Sequence, residues 1–158
     1  MAILECIEKG HAMNADVSRI TETILALERG INDRWNRGDV DGALEAYSED
    51  VTYFDPLTAV RLDGRKAVEG YFRKFFEGKL NILRNVFPNP QLIVSAGGDL
   101  AVLNYNLVNI VPDGQGGEKQ GTPWNSTQVY RFMDGQWRVV HANWSFTRHP
   151  AAMQGLMS

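Results

Sequence analysis

Apolar positions near the start of the chain recur with the period of an α-helix. The set spaced by three or four residues is Ile20, Ile24, Leu27, Ile31 and Trp35. This spacing places the five side chains on one face of an amphipathic helix. Gly38 can end that helix in a left-handed conformation. Asp39 or Asp41 can then cap a short second helix that extends to about Tyr47.

A short β-rich segment, VTYFDP, follows and closes at Asp55-Pro56. The extended piece AVRL then leads to a turn at Asp63-Gly64. A third helix is indicated by the apolar positions Val68, Tyr71, Phe72, Phe75 and Phe76. This helix ends at Gly78.

Beyond residue 80 the pattern alternates with period two, which is typical of strands. The predicted strands lie near 82–87, 91–96, 100–111, 119–133 and 136–146, with turns at GGD, DGQGG and Asp134-Gly135. The element order predicts an α+β fold in which a cone-shaped, curved, mostly antiparallel sheet carries three N-terminal helices on its concave face. The open end of such a cone is a natural small-molecule pocket.

Regular alternation assigns the side chains of the last two strands to the two faces of the sheet. The set predicted to point inward includes Trp124, Ser126, Gln128, Tyr130, Val139, His141 and Asn143. Val140, Trp144 and Phe146 fall on the convex face, where they would form an exposed apolar patch. Such patches mark interfaces, so we expect a homo-oligomer, most simply a two-fold dimer. The alternative is that the N-terminal extension covers the patch.

The length of 158 residues suits one domain. The predicted divisions are an N-terminal extension at 1–14, the domain at 15–147 and a C-terminal tail at 148–158. Sixteen basic against 19 acidic residues give a net charge of −3, which argues against a nucleic-acid partner. The sequence has no membrane-length apolar run and no secretory leader pattern, so we expect no membrane partner and a cytoplasmic location.

Cofactor motifs are missing from the sequence. The single cysteine, Cys6, rules out a multi-cysteine zinc site, and the three histidines lack the spacing of metal ligands. The paired glycines lie in predicted hairpin turns and not before helices, where a phosphate loop would place them. We therefore expect no metal and no cofactor, and any catalysis would be acid–base chemistry by side chains.

Four stretches of the sequence carry family resemblances. WNRGDVDGALEAYSEDVTYFDP and LDGRKAVEGYF resemble the opening of nuclear transport factor 2-like proteins, which include ketosteroid isomerases and SnoaL-like cyclases. The stretches from FPNPQLIVSAGGDL onward and TQVYRFMDGQWRVVHANWS are similar to the association domain of calcium/calmodulin-dependent protein kinase II and its stand-alone bacterial relatives. The resemblance covers roughly residues 20–147 and implies the same cone-shaped fold.

The resemblance also implies roles for single residues. Asp55 falls where ketosteroid isomerases place their proton-shuttling aspartate, whereas Ile31 and Gln128 replace their oxyanion-binding tyrosine and aspartic acid. Leu107 and Gln128 stand where the association domain has cavity arginines. His141 matches one of its histidines, and Asn143 replaces another.

The residues themselves suggest an acid–base site. Asp55 is the candidate base, because burial in an apolar cone favours proton uptake. Its alternative role is to cap the turn with Pro56. His141 is the candidate partner, or a plain strand histidine. Gln128 and Asn143 are candidate oxyanion donors, or satisfy one another.

Aromatic and apolar side chains supply the walls of the predicted pocket. The predicted substrate-binding residues are Trp35, Tyr53, Tyr105, Leu107 and Trp124. They favour a flat, hydrophobic ligand. We therefore expect a cofactor-independent isomerase, dehydratase, cyclase or lyase that acts on a hydrophobic small molecule. The alternative is a non-catalytic binding or oligomerisation module related to the kinase association domain.

Overall fold

A computed structural model describes residues 2–147 of the chain, with side chains described from residue 16 onward. The helices are α1 (Ala2–Asn36), α2 (Val40–Leu44) and α3 (Arg65–Phe75). The strands are β1 (Tyr47–Phe54), β2 (Leu62–Asp63), β3 (Arg84–Val86), β4 (Gln91–Val94), β5 (Leu100–Pro112), β6 (Glu118–Met133) and β7 (Gln136–Phe146). The predicted α+β architecture is therefore confirmed. The predicted C-terminal tail, 148–158, lies outside the described residues.

The first helix is longer than its apolar stripe. The helix α1 includes residues 2–14, which lie in the N-terminal extension predicted from the sequence. Its end is as predicted, because Gly38 adopts a φ of +75° and its N–H donates to the carbonyl oxygen of Trp35. Asp39 then caps α2 by accepting a hydrogen bond from the N–H of Gly42 at 2.9 Å. The second helix is shorter than predicted, since Tyr47 already begins β1.

The strands form one open sheet in the order β2-β1-β7-β6-β5-β3, with β4 also paired to β5. Only the β1–β7 pair is parallel among the pairings described. The helices α1, α2 and α3 pack on the concave face, where Ile24, Leu44 and Phe72 meet buried strand residues such as Leu103 and Tyr130. This layering confirms the predicted curved sheet with helices on its inner face.

A β-bulge in the last strand places the side chains after Val140 on the sheet faces opposite to those predicted. Gln128 pairs with Ala142 and Tyr130 with Val139, so Val140 is an extra residue opposite Val129. Val139 and Ala142 are both fully buried, whereas Asn143 is exposed. The prediction that His141 and Asn143 point inward is wrong, because regular alternation fails at the bulge.

The apolar patch expected on the convex face is therefore not formed as predicted. Trp144 lines the concave cavity and packs edge-on against Tyr105, with ring centroids 5.9 Å apart. Phe146 packs against Trp124 in a tilted arrangement, with ring centroids 4.5 Å apart. Val140 is the bulge residue and is half-buried.

The convex face instead carries hydrogen-bonded polar side chains. Asn106 Nδ2 donates to Asn125 Oδ1 at 2.9 Å, and Thr127 Oγ1 donates to Asn104 Oδ1 at 3.1 Å. Beside them runs a cross-strand row of mixed character: Ile93, Val102, Val129, His141 and Thr52. The surface is polar with one apolar strip.

None of the helices in the described part of the chain has the length and hydropathy required to cross a bilayer.

Candidate functional site

A cavity of about 140 Å³ lies between the helices and the concave face of the sheet. Its walls come from α1, α2, α3, β1, β5, β6, β7 and the segments that follow β1 and α3. Trp35 on α1 packs against Phe72 and Phe76 of the third helix and its end, at centroid distances of 4.6 and 5.3 Å. These rings fix one side of the cavity in place.

Most of the lining is apolar or aromatic. Ile31, Trp35, Phe72, Phe76, Leu80, Ile82, Leu107, Trp124 and Trp144 all contribute. The polar groups are the side chains of Asn32, Asn109, Tyr47, Tyr53 and Asp55. Engineered apolar cavities of about 150 Å³ take up benzene, so the volume suits a ligand built on one ring.

Asp55 is the only charged residue in the described lining and lies where the cavity opens. It also lines an outer groove together with Phe54, Pro56, Asn143, Trp144, Ser145 and Phe146. Asp55 and Trp144 are common to both spaces, so they stand between the cavity and the exterior. A molecule in the groove and a molecule in the cavity can therefore both contact this side chain.

Both oxygens of Asp55 accept hydrogen bonds. Oδ1 accepts from the backbone N–H groups of Leu57 and Thr58 at 2.8 and 3.0 Å, which is the turn-capping geometry considered above. Oδ2 accepts from the hydroxyls of Tyr53 and Tyr71 at 3.0 and 2.7 Å, and the Tyr71 hydroxyl also lies 2.8 Å from Oδ1. Burial and the adjacent Asp55 raise the pKa of both tyrosines, so their hydroxyls stay protonated as donors.

A second carboxyl group, Glu28, lies buried behind the cavity wall. It accepts hydrogen bonds from the hydroxyls of Tyr105 and Tyr130 and, at 3.2 Å, from Asn32 Nδ2. Burial raises the pKa of Glu28, while the three hydrogen bonds oppose that shift. Sequence reasoning missed this cluster. The sequence does contain a signal for the cluster, because Glu28 and Asn32 follow Ile24 at four-residue steps and so share the buried face of α1.

The predicted wall residues mostly reach the cavity. Trp35, Tyr53, Leu107 and Trp124 line it. Tyr105 is 5% exposed and bonds to Glu28, so it supports the wall from behind.

The predicted catalytic residues are not brought together. Gln128 is buried in the sheet core, where its Nε2 donates to Ser126 Oγ at 3.0 Å. Asn143 shares only the outer groove with Asp55. His141 lies on the convex face and its Nδ1 is 2.7 Å from Thr52 Oγ1. Desolvation and then the charge of Arg61 lower the pKa of His141.

No cluster of three His, Cys, Asp or Glu side chains suited to a metal ion is found among the side chains that the structure describes.

The SnoaL-like domain model matches residues 28–140, which include all the cavity-lining residues named above except Trp144. The chain belongs to the SnoaL-like domain family. No curated protein matches it. The SnoaL-like domain is thus identified by its family model and by solved structures of similar fold.

Three solved structures illustrate the range of similar proteins. A candidate ketosteroid isomerase from Parabacteroides distasonis is 26% identical, with 81% of this chain and 87% of that chain covered and a TM-score of 0.66. A nuclear transport factor 2-like protein with a cystatin-like fold from Novosphingobium aromaticivorans is 17% identical, with 96% and 95% covered and a TM-score of 0.63. The association domain of calcium/calmodulin-dependent protein kinase II from C. elegans is 21% identical, with 85% and 96% covered and a TM-score of 0.63. The last two likenesses concern the fold alone.

Proposed function

We propose that this SnoaL-like domain binds a hydrophobic, ring-sized molecule in its cavity and transfers a proton on it without a cofactor. The observation that carries the proposal is the position of Asp55, a single carboxylate at the opening of an otherwise uncharged, ring-lined cavity. Carboxylates positioned in this way act as general bases. The similarity to a candidate ketosteroid isomerase supports the same class of chemistry.

The hydrogen bonds around Asp55 assign different tasks to its two oxygens. Backbone N–H groups hold Oδ1 in the turn, so the carboxylate cannot rotate freely. Oδ2 bonds only to tyrosine hydroxyls, and an O–H bond can rotate away from its acceptor. Oδ2 is therefore the oxygen that takes a proton from a ligand carbon. The same oxygen returns that proton to another position on the ligand.

Asp55→Asn tests this role with almost no change of shape. We expect the protein to speed the exchange of the methyl hydrogens of acetophenone for deuterium in D2O, followed by proton NMR. In this exchange the base removes a proton from the carbon beside the carbonyl, and the enolate then takes up a deuteron. Since general-base catalysis contributes about 10²–10⁴-fold, Asp55→Asn should reduce the rate by that factor toward the buffer rate.

Asp113→Asn is the matched control, because Asp113 also accepts hydrogen bonds from two backbone N–H groups in a turn, those of Gln115 and Gly117. It lies in the β5–β6 hairpin and does not line the cavity. This variant should keep the wild-type exchange rate. Equal rates for wild type and Asp55→Asn, with acetophenone bound in both, would rule out Asp55 as the base.

The second candidate function is self-assembly through the convex face of the sheet. The favouring observation is the strip formed by Ile93, Val102 and Val129, of which Ile93 is 56% exposed. An exposed isoleucine beside other apolar side chains is a common interface feature. This strip replaces Val140, Trp144 and Phe146 as the proposed contact surface. The likeness to a kinase association domain agrees with assembly as an alternative role.

Ile93→Glu tests the assembly proposal. We expect wild type to have the mass of a dimer in light scattering, and Ile93→Glu to have the mass of a monomer, because a charge is costly to bury in a contact. Phe75→Glu, at an exposed aromatic side chain on α3, is the control and should remain a dimer. A wild-type protein that is monomeric at tens of micromolar would exclude this assembly.

A further inference from the structure

Two asparagine side chains interrupt the apolar lining of the cavity, Asn32 on α1 and Asn109 on β5. A buried amide needs hydrogen-bond partners for both its oxygen and its nitrogen. Each of these amides has protein partners for one end only among the described residues. The other ends are therefore free to recognise a ligand.

Asn109 is oriented by a chain of three amides. Asn36 Nδ2 donates to Asn85 Oδ1, and Asn85 Nδ2 donates to Asn109 Oδ1 at 2.7 Å. This hydrogen-bonded series has an unpaired acceptor at one end and an unpaired donor at the other. The acceptor is Asn36 Oδ1, which is buried and has no partner among the described residues. The donor is Asn109 Nδ2, which has no partner among the described residues, and Asn109 lines the cavity.

Asn32 is oriented in the opposite sense. Its Nδ2 donates to the backbone oxygen of Glu28 at 3.0 Å, to Glu28 Oε1 at 3.2 Å and to the hydroxyl of Tyr105 at 3.4 Å. With the nitrogen held in this way, the oxygen is left as a free acceptor. No described residue donates to Asn32 Oδ1, although the residue is only 4% exposed.

The free donor and the free acceptor belong to residues that line the same cavity of about 140 Å³. Asn32 and Asn36 are four residues apart on α1, so they occupy one helix face with Cβ atoms about 5–6 Å apart. Asn36 is linked through Asn85 to Asn109. We infer that the cavity selects a ring-sized ligand that bears a carbonyl group for Asn109 Nδ2 and an adjacent N–H or O–H group for Asn32 Oδ1. This inference rests on the proposed binding of such ligands in the cavity.

The same arrangement fits the proposed proton transfer. When a base removes a proton beside a carbonyl group, negative charge develops on the carbonyl oxygen. A preoriented N–H donor stabilises that charge. Asn109 would thus serve as the oxyanion donor for which the sequence suggested Gln128 and Asn143.

Three ligands of nearly equal shape separate these contacts. Benzamide has a carbonyl oxygen and an N–H donor, acetophenone has the carbonyl alone, and α-methylstyrene has neither. Isothermal titration calorimetry should rank benzamide tightest and α-methylstyrene weakest. Each step should be about three- to tenfold, the effect of one hydrogen bond made in a buried site.

Variants of Asn109 test the donor. Asn109→Leu should bind acetophenone no better than α-methylstyrene, because the N–H donor is lost. Asn109→Asp keeps an acceptor for Asn85 and puts a carboxylate oxygen in place of the donor, so acetophenone should bind more weakly than α-methylstyrene. Asn85→Leu tests positioning, since it should reduce the preference for acetophenone while the affinity for α-methylstyrene stays unchanged.

Asn32→Leu should bind benzamide and acetophenone equally well, because the acceptor for the N–H group is lost. The preference for acetophenone over α-methylstyrene should remain. Asn104→Leu, on the convex face, is the control and should keep the wild-type ranking. If Asn32→Leu fails to fold, the Asn109 variants and the wild-type ranking still decide the outcome.

The same titrations distinguish ligand selection by the two asparagines from the binding of ring-sized ligands in the cavity. Equal wild-type affinities for the three ligands would overturn the selection by Asn32 and Asn109 and leave cavity binding intact. Binding of none of the three at millimolar concentration would overturn cavity binding of ring-sized ligands, and the inference with it. An unchanged ranking in Asn109→Leu would exclude Asn109 as the donor.

Discussion

Ala142→Asp is expected to unfold the protein or to leave it barely stable. Ala142 is fully buried on the concave face of β7, between Gln128 of β6 and Tyr53 of β1. An unpaired carboxylate at that position loses its hydration, which costs about 4 kcal/mol or more. Since small domains are stable by only about 5–15 kcal/mol, this loss approaches the whole free energy of unfolding.

The neighbouring Asn143→Asp is the matched control, because it introduces the same carboxylate at an exposed position. Its free energy of unfolding in urea should stay within about 0.5 kcal/mol of wild type. Regular alternation from Val139 predicts the reverse, with position 142 outward and position 143 inward. A stable Ala142→Asp beside a destabilised Asn143→Asp would therefore contradict the bulge at Val140.

Glu28→Ala is expected to cost about 3–5 kcal/mol of stability. The substitution removes the acceptor of the Tyr105 and Tyr130 hydroxyls, and each buried donor left without a partner costs about 1–3 kcal/mol. The lost side-chain volume adds a cavity cost. Glu22→Ala, at an exposed position of the same helix, should stay near wild type in urea unfolding. A Glu28→Ala protein as stable as wild type would show that the cluster does not stabilise the fold.

The same carboxyl group should make stability depend on pH. Burial raises the pKa of Glu28 above its ordinary value of 4.5, so the folded state binds its proton more tightly than the unfolded state. The contribution of Glu28 is therefore fully present below pH 4.5 and is lost as pH rises through the folded-state pKa.

The expected readout is the difference in unfolding free energy between wild type and Glu28→Gln, measured from pH 4 to pH 8. The difference cancels other groups, including His141, whose lowered pKa makes stability fall as pH drops. Wild type should lose its advantage over Glu28→Gln as pH rises. A difference that is constant with pH would contradict the raised pKa of Glu28.

Much of the fold follows from local patterns in the sequence. The apolar stripe from Ile20 to Trp35 predicts the buried face of α1, and Gly38 predicts its end. The hairpin at Asp134-Gly135 forms as expected, with φ of +52° and +76° at the two residues. These features depend on residues close in sequence, so they can be predicted from the chain alone.

The site was predicted less completely for a physical reason. Trp35, Tyr53, Leu107 and Trp124 line the cavity because each lies in a helix or in a regularly paired stretch of strand, where spacing fixes the direction of the side chain. His141 and Asn143 lie beyond the bulge, where alternation no longer holds. No local signal in the sequence marks Val140 as the extra residue, since the bulge depends on pairing with β6.

The sequence by itself determined the order of helices and strands, the turns and the concave face up to Val139, because these are set by periodicity and by backbone preferences of single residues. The tertiary structure decided which polar groups meet. Glu28, Tyr105 and Tyr130 are up to 102 residues apart in the chain and share hydrogen bonds only because α1 crosses β5 and β6. Asn36, Asn85 and Asn109 likewise meet only where α1 lies beside β3 and β5. Such contacts depend on the relative placement of distant elements, which side-chain packing across the whole core determines.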